Sequence, residues 1–162
     1  VKSKLRIGHG YDIHRLVSGR DLYLCGLKIP FEKGLDGHSD ADVALHAVCD
    51  SLLGAAALND IGFYFPPTSP ELKGISSLIL LERVYSLIKN EGYCVSNIDI
   101  SIIAEAPKIK PFVAEMKNKI ASVLEIDVSQ IGIKATTNEG IDQIGQGQAI
   151  CAHCVCLLST NS

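Results

Sequence analysis

The chain has 162 residues, a length that favours one domain over two, and 47% of them are hydrophobic against 20% charged, enough for a core and too little charge for intrinsic disorder. With 15 Lys and Arg against 18 Asp and Glu the net charge is −3, and no basic run exists to neutralise successive phosphates, which speaks against a nucleic-acid partner. The longest uninterrupted apolar stretches, Leu78–Leu81 and Cys154–Leu158, fall far short of the roughly 20 residues that span a bilayer, so no membrane segment is expected.

The opening stretch, Val1 to Gly8, alternates in character rather than placing a basic cluster before an apolar block, so it does not read as a secretory signal. Positions 4 to 14 (KLRIGHGYDIH) predict a strand interrupted by glycines, and 21 to 30 (DLYLCGLKIP) its hairpin neighbour, with Ser18, Gly19 and Arg20 in the turn. After the Gly-rich connection EKGLDGHSD, Ala41 to Leu58 has helix-forming composition with an apolar stripe at Val43, Ala47 and Leu53 to Leu58, starting near Asp40. The following NDIGFYFPPTSPELKG is too rich in Pro, Gly and Ser to be regular, and its length suits a functional loop. Ile75 to Asn90 repeats apolar residues at helical spacing, with Gly92 as the stop signal. Ile98, Ile100 and Ile102 alternate as a strand, AEAPKIK leads to Pro111 in the first turn of a helix running to about Leu124, and two strands close the chain at Ile131 to Thr136 and Gln148 to Leu158. The expected order is ββ-α-α-β-α-β-β: an α+β fold, one domain over residues 1–162, with a mixed sheet covered by helices on one face.

Three of the six cysteines are scattered (Cys25, Cys49, Cys94), and Cys151, Cys154 and Cys156 crowd one predicted strand. Residues 151 and 154 would point to opposite faces of that strand, the wrong geometry for a shared metal, so the cysteines read as small buried hydrophobes in a reducing compartment. The same strand is apolar or small on both faces and the mean hydropathy is +0.23. A sheet with helices on one side should show water a polar second face, so the pattern predicts burial of that face in a closed homo-oligomer.

Asp12 and His14, two apart on a strand, share a face and can converge on one point. His46 lies on the first helix between Asp42 and Asp50, carboxylates one turn before and after it that are placed to orient its imidazole. One carboxylate oxygen and two imidazole nitrogens make a three-ligand set for a catalytic Zn²⁺ with an open fourth position; taken singly, His14 and His46 read better as a strand-end residue and a satisfied core histidine. His9 falls on the face opposite Asp12 and His153 in the cysteine-rich strand, where both read as structural and His153 as buried. His38, with Ser39 beside it at the approach to a helix N-terminus, reads either as an anion contact or as an ordinary loop residue.

Five ordered segments, GHGYDIH, GHSDADVALHA, LLGAAALNDIG, AEAPKIKP and KATTNEG, together resemble the 2-C-methyl-D-erythritol 2,4-cyclodiphosphate synthase family of the non-mevalonate isoprenoid pathway over nearly the whole chain. The resemblance implies a homotrimer, the sheets of three subunits enclosing a central core and the active sites lying between adjacent subunits. It implies Zn²⁺ on Asp12, His14 and His46. The reaction it implies is an intramolecular phosphoryl transfer: the 2-phosphate of 4-diphosphocytidyl-2-C-methyl-D-erythritol 2-phosphate attacks the β-phosphorus, closes an eight-membered cyclic diphosphate and expels CMP. Such a reaction rests on positioning and electrostatics more than on covalent chemistry by the protein. A net-negative protein with carboxylates at its site needs metal cations to accept a polyphosphate. The resemblance accordingly places a second cation, octahedral Mg²⁺ or Mn²⁺, on Glu139, an oxygen ligand suited to a hard ion.

The remaining site residues follow from the same resemblance. His38 and Thr137 match transition-state stabilisers, with Ser39, Thr136 and Asn138 beside them, and Asp12, His14 and Glu139 count as substrate contacts as well as metal ligands. Asp60, Ile61, Gly62, Phe65 and Ser69 match the surroundings of the methylerythritol part. The segment Ala104, Glu105, Ala106, Pro107 matches the start of the cytidine pocket, which continues through Lys108, Ile109 and Lys110; backbone groups rather than the two amines are expected to read the base. Where the family often has acidic residues after FP this chain has Pro67 and Ser69, and Gln143 and Gln146 stand where some members carry an aromatic and an arginine, so the resemblance does not carry over binding of phosphate or of a central-cavity ligand through a guanidinium. Two rival functions are a metal-dependent phosphohydrolase, which needs an activated water, and a non-enzymatic nucleotide-binding or zinc-stabilised module. The compartment expected is a bacterial cytoplasm, or a plastid stroma if a transit peptide has been removed.

Overall fold

The computed structural model describes residues 4–160, so the first three residues of the Val1–Gly8 segment lie outside the described residues. Its elements in chain order are β1 (Leu5–Ser18), β2 (Leu22–Leu24), β3 (Leu27–Ile29), β4 (Lys33–Leu35), α1 (Val43–Ala55), α2 (Ile61–Tyr64), α3 (Ser77–Asn90), β5 (Tyr93–Ile103), α4 (Val113–Leu124), β6 (Ile131–Thr136), α5 (Asp142–Gly145) and β7 (Ala149–Thr160). The main sheet has the order β4-β1-β7-β5-β6 and is antiparallel except for β5 and β6, which run parallel and are joined through α4. The architecture is α+β with a mixed sheet.

Four expectations about the elements need correction. The segment after β1 does not pair with it: β2 and β3 form a hairpin of their own, and β1 lies between β4 and β7. Gly34 of β4 explains the route, because a Cβ there would stand 2.3 Å from the carbonyl oxygen of Asp21; the chain leaving β1 crosses over β4. The first helix begins at Val43, not near Asp40, and ends at Ala55, with Asp42 as its N-cap accepting from the Leu45 amide. The loop read as irregular contains α2 and a 3-10 turn at Pro70–Leu72. Strand β5 also starts five residues earlier than its isoleucines suggest: a register shift between Val95 and Asn97 moves the buried positions from odd (Tyr93, Val95) to even (Ile98, Ile100, Ile102), which breaks the alternation in the sequence.

Helix α1 is buried almost all round and packs against β1, β7 and α3. Two glycines of β1 set its distance. A Cβ on Gly8 would come within 1.9 Å of the Ser51 carbonyl oxygen, and one on Gly10 within 1.9 Å of the Ala47 carbonyl oxygen, so strand backbone lies directly on helix backbone. The next two residues on that face are Asp12 and His14, which the contact delivers beside His46 of α1.

The other face of the sheet carries Leu5, Ile7, Tyr11, Ile13 and Val155, all exposed, with Ile7 at 74%. His153 lies on this face too; it is exposed rather than buried, and its Nδ1 is 3.0 Å from Nε2 of His9. All six cysteines are unpaired and five are buried; Cys151 joins a small cluster with Ile144 and Ala149, whereas Cys154 faces the Ser51 hydroxyl under α1, on opposite faces as the spacing implies. No helix among the described residues is long and apolar enough to cross a membrane.

Candidate active site

Asp12, His14 and His46 are the one group among the described residues with three side chains placed to hold a metal ion. Asp12 Oδ2 is 2.8 Å from His14 Nε2 and 3.1 Å from His46 Nδ1, and the two nitrogens are 3.2 Å apart. Tetrahedral zinc with bonds of about 2.0 Å would space its ligands at about 3.3 Å, so the triangle has the size and donor set of one face of such a tetrahedron. The outward nitrogens are also arranged for it. His14 Nδ1 donates to the Asp36 carbonyl at 2.7 Å, which leaves the Nε2 lone pair directed into the triangle. His46 Nε2 faces the hydroxyls of Ser77 at 3.0 Å and Ser39 at 3.2 Å, with Nδ1 directed inward.

Burial opposes charge on Asp12, but without a metal the hydrogen bonds and positive charge that His14 and His46 offer when protonated outweigh it and hold the carboxyl well below the ordinary carboxylate range. Burial would lower His14, and the Asp12 carboxylate more than reverses that, raising the imidazole above its usual value. Asp42 and Asp50 do not orient His46 as the helical spacing suggests. Both oxygens of Asp42 are engaged by the amides of Cys25, Gly26 and Leu45, and Asp50 accepts from the Ile61 amide at 2.8 Å.

A cavity of about 200 Å³ opens over the triangle, with His14, His38, Ser39 and His46 on its polar side and Ile61, Phe65 and Leu72 among its apolar walls. Gly62 and Pro67 also line it, and Asp60 caps α2 by accepting from the Gly62 amide. His38 Nε2 donates to the Ser69 carbonyl at 2.9 Å, which ties the loop before α1 to the loop after α2. Arg20 holds the same segment from the other side, its guanidinium donating to the carbonyls of Gly37 and Ser39 at 3.0 and 2.9 Å. Ser39, expected as a substrate contact, turns its hydroxyl toward His46 and the Ala41 amide.

A second cavity of about 210 Å³ is lined by Ala104, Glu105, Pro107, Lys108, Ile109, Lys110, Thr136 and Thr137. Ala106 is joined to Pro107 by a cis bond, and both lysines are exposed. Glu105 braces the pocket by accepting from the amides of Asn138 and Gly140. Glu139 is held at φ 52° in the left-handed region, with the Thr137 hydroxyl 3.4 Å from its Oε1.

Within one chain the two groups do not meet. His14 pairs with Ile150, whereas Thr136 pairs with Ile103 and that residue with Cys151; Thr136 is thus three strand spacings, about 14 Å, from the His14 row and on the opposite face of the sheet.

Sequence reasoning missed Ser77, Asp40, Asp36 and Arg20, none of which has a periodicity or motif that signals its role. The only hint was Ser76–Ser77 opening a helix, where one serine is enough for the cap.

The model of the YgbB family matches residues 5–159. Among similar curated proteins, the 2-C-methyl-D-erythritol 2,4-cyclodiphosphate synthases of Synechococcus elongatus and Clostridium perfringens are 54% and 56% identical over 156 and 154 residues, covering 96% and 95% of this chain and 98% and 99% of theirs. Among solved structures, IspF of Plasmodium falciparum in complex with CDP is 36% identical, with a TM-score of 0.88 and full coverage of both chains. The bifunctional IspDF of Campylobacter jejuni is also 36% identical, with a TM-score of 0.94 over 98% of this chain; the match spans 43% of that longer protein.

Proposed function

The chain belongs to the YgbB family, and we infer that it catalyses the cyclodiphosphate synthase reaction, converting 4-diphosphocytidyl-2-C-methyl-D-erythritol 2-phosphate to 2-C-methyl-D-erythritol 2,4-cyclodiphosphate with release of CMP. The observation that carries the chemistry is the Asp12–His14–His46 triangle, whose three ligand atoms converge on one point beside a cavity that His14 and His46 line. Residues 1–162 then act as one cyclodiphosphate synthase domain.

We assign Zn²⁺ to the triangle and Mg²⁺ or Mn²⁺ to Glu139; when bound, they would supply the positive charge that a diphosphate needs in a net-negative protein. Asp12 and His14 hold their oxygen and nitrogen 2.8 Å apart beside the cavity that His14 lines, where the diphosphate would lie. His38, fixed by donating Nε2–H to the Ser69 carbonyl, would need a second hydrogen on Nδ1 to donate to a phosphate oxygen, which the doubly protonated ring supplies. Asp60, Ile61, Gly62, Phe65 and Ser69 would enclose the methylerythritol part, the apolar ones excluding water from a reaction that must not hydrolyse the diphosphate. The 104–110 loop would take cytidine through its backbone, and Thr136, Thr137 and Asn138 would set hydroxyl and amide groups against the α- and β-phosphates.

Thr136 of the second group lies three strands from the His14 row and faces the other side of the sheet, so the two groups are too far apart to share one substrate within a chain. We therefore propose a homotrimer in which the cytidine pocket of one subunit abuts the metal triangle of the next. The exposed apolar face of β1 and β7 supports it, since closing three such sheets together removes Leu5, Ile7 and Ile13 from water. The compartment we propose is a bacterial cytoplasm or a plastid stroma, consistent with six unpaired cysteines.

Purified enzyme given the substrate should release CMP and cyclodiphosphate in equal amounts, with no inorganic phosphate. Phosphate rising in step with turnover would instead establish the hydrolase. In sedimentation the protein should run as three copies, and a stable monomer with full activity would exclude a shared site.

A further inference from the structure

The ring of His46 reaches outward to a buried chain of polar groups that the reaction itself does not use. Ser77, the first residue of α3, is fully buried, and its hydroxyl lies 3.0 Å from His46 Nε2 and 2.5 Å from Asp40 Oδ1. Asp40 is fixed in turn: its Oδ2 accepts from the Ser77 amide at 2.8 Å, its Oδ1 from the Asp42 amide at 3.1 Å, and its own amide donates to the Ile75 carbonyl at 3.0 Å.

A hydroxyl has one hydrogen, and an ionised carboxylate can only accept. Ser77 therefore donates to Asp40 and has only lone pairs to offer His46, which makes Nε2 the protonated nitrogen and leaves Nδ1 bare toward Asp12 and His14. Ser39, the other hydroxyl near Nε2, is ambiguous: its oxygen accepts from the Ala41 amide and its hydrogen is free to point at the ring. Without Ser77 both tautomers of His46 find a partner, and one of them presents a hydrogen to the metal position.

We propose that Ser77, directed by Asp40, is a positioning residue that locks His46 in the Nε2–H tautomer and so completes the zinc site; this rests on the assignment of Zn²⁺ to the triangle. The helix N-terminus at Ser77 is needed for the geometry, because it aims both the amide and the hydroxyl of one residue at the two oxygens of one carboxylate. It also couples the α3 start to the α1 approach, across 37 residues of sequence.

The test is zinc affinity by equilibrium competition with a chelator, on metal-stripped wild-type protein, Ser77→Ala and Ser77→Thr. Loss of an outer partner of a metal-bound histidine lowers affinity about 10- to 100-fold, and that is the loss expected for Ser77→Ala at unchanged helix content. Ser77→Thr, which keeps the hydroxyl, should restore most of it. Side-chain ¹⁵N NMR of the zinc-loaded wild-type protein should show His46 protonated at Nε2. Wild-type protein that binds no zinc would remove the assignment beneath the proposal. Wild-type zinc affinity in Ser77→Ala, equal losses in the alanine and threonine variants, or a proton on Nδ1 of wild-type His46 would each overturn the proposal itself.

Discussion

Replacing Gly10 by alanine tests whether the metal triangle depends on contact between the backbones of β1 and α1. The new Cβ would stand 1.9 Å from the Ala47 carbonyl oxygen and 2.8 Å from the Ser51 nitrogen, both main-chain atoms of a buried helix, whereas Cβ atoms essentially never approach such atoms closer than 3.0 Å. The strand must retreat by the difference, about 1.1 Å at least. Asp12, two residues on, moves with it, and its 3.1 Å approach to His46 Nδ1 lengthens toward about 4 Å, beyond the roughly 3.3 Å edge of a zinc tetrahedron. Forcing extra volume into a packed contact of this kind costs about 1–3 kcal/mol. For a domain of this size each kcal/mol lowers Tm by about 2–4 °C, so a fall of about 2–12 °C is expected with the metal removed. Zinc affinity should fall by more than tenfold, read by chelator competition beside calorimetry. Gly54 is the matched control: it lies in α1 with no atom within 4 Å of a built Cβ, so Gly54→Ala should be neutral or stabilising by up to about 1 kcal/mol. Wild-type Tm and zinc affinity in Gly10→Ala would refute the argument that backbone contact places the ligands.

The pH dependence of zinc binding follows from the opposed shifts of Asp12 and His14. Zinc must displace the proton that Asp12 helps His14 to keep, so affinity should decline as pH falls, beginning above the ordinary histidine value of about 6.5. The sign for the metal-free fold is complementary. The raised His14 stabilises it below about pH 6.5 and that contribution is lost as pH rises through its folded value; the lowered Asp12 stabilises it above about pH 3.8 and is lost as pH falls through its own. The zinc-induced rise in Tm should therefore grow between pH 5 and pH 8, and a rise independent of pH over that range contradicts the assignment of His14 as a ligand. Asp42→Ala removes the cap of α1 and the acceptor of two further amides in the Cys25–Gly26 turn, where both residues have positive φ. A lost cap of about 1 kcal/mol, the buried Cys25 amide at about 1–3 kcal/mol and the half-buried Gly26 amide at up to about 1 kcal/mol predict a loss of about 2–5 kcal/mol by chemical denaturation. A loss under 1 kcal/mol would show that water satisfies those amides.

The Asp12, His14 and His46 group was legible in the sequence because strand and helix periodicity suffice to aim its side chains at one point. Asp12 and His14 share a face by the two-residue repeat, and His46 lies on a helix that had to pack on that face. The isoleucines of β5 and the apolar rows of α3 were legible for the same reason. Periodicity fails where the backbone itself departs from the repeat. The register shift at Val95 and Asn97 hid half of β5, and Cys25–Gly26, a turn whose positive φ values would ordinarily select Asn-Gly, is supported by the carboxylate of Asp42 from 17 residues away.

The orientation of His46 shows the deeper limit. Helical spacing made Asp42 and Asp50 its natural partners, yet an N-cap is bound to its own helix and a residue one turn on was taken by the start of α2. The ring is instead oriented by Ser77, 31 residues away, and by Asp40 behind it. Local pattern thus determines which side chains converge on the proposed metal position, but the hydrogen that decides whether a histidine nitrogen can bind a metal is placed by contacts between elements, where the sequence carries no spacing rule. The same distinction separates the two pockets: each is assembled by short-range pattern, and in the proposed trimer their meeting would depend on a neighbouring subunit, for which the sequence offers only the apolar residues of the open sheet face.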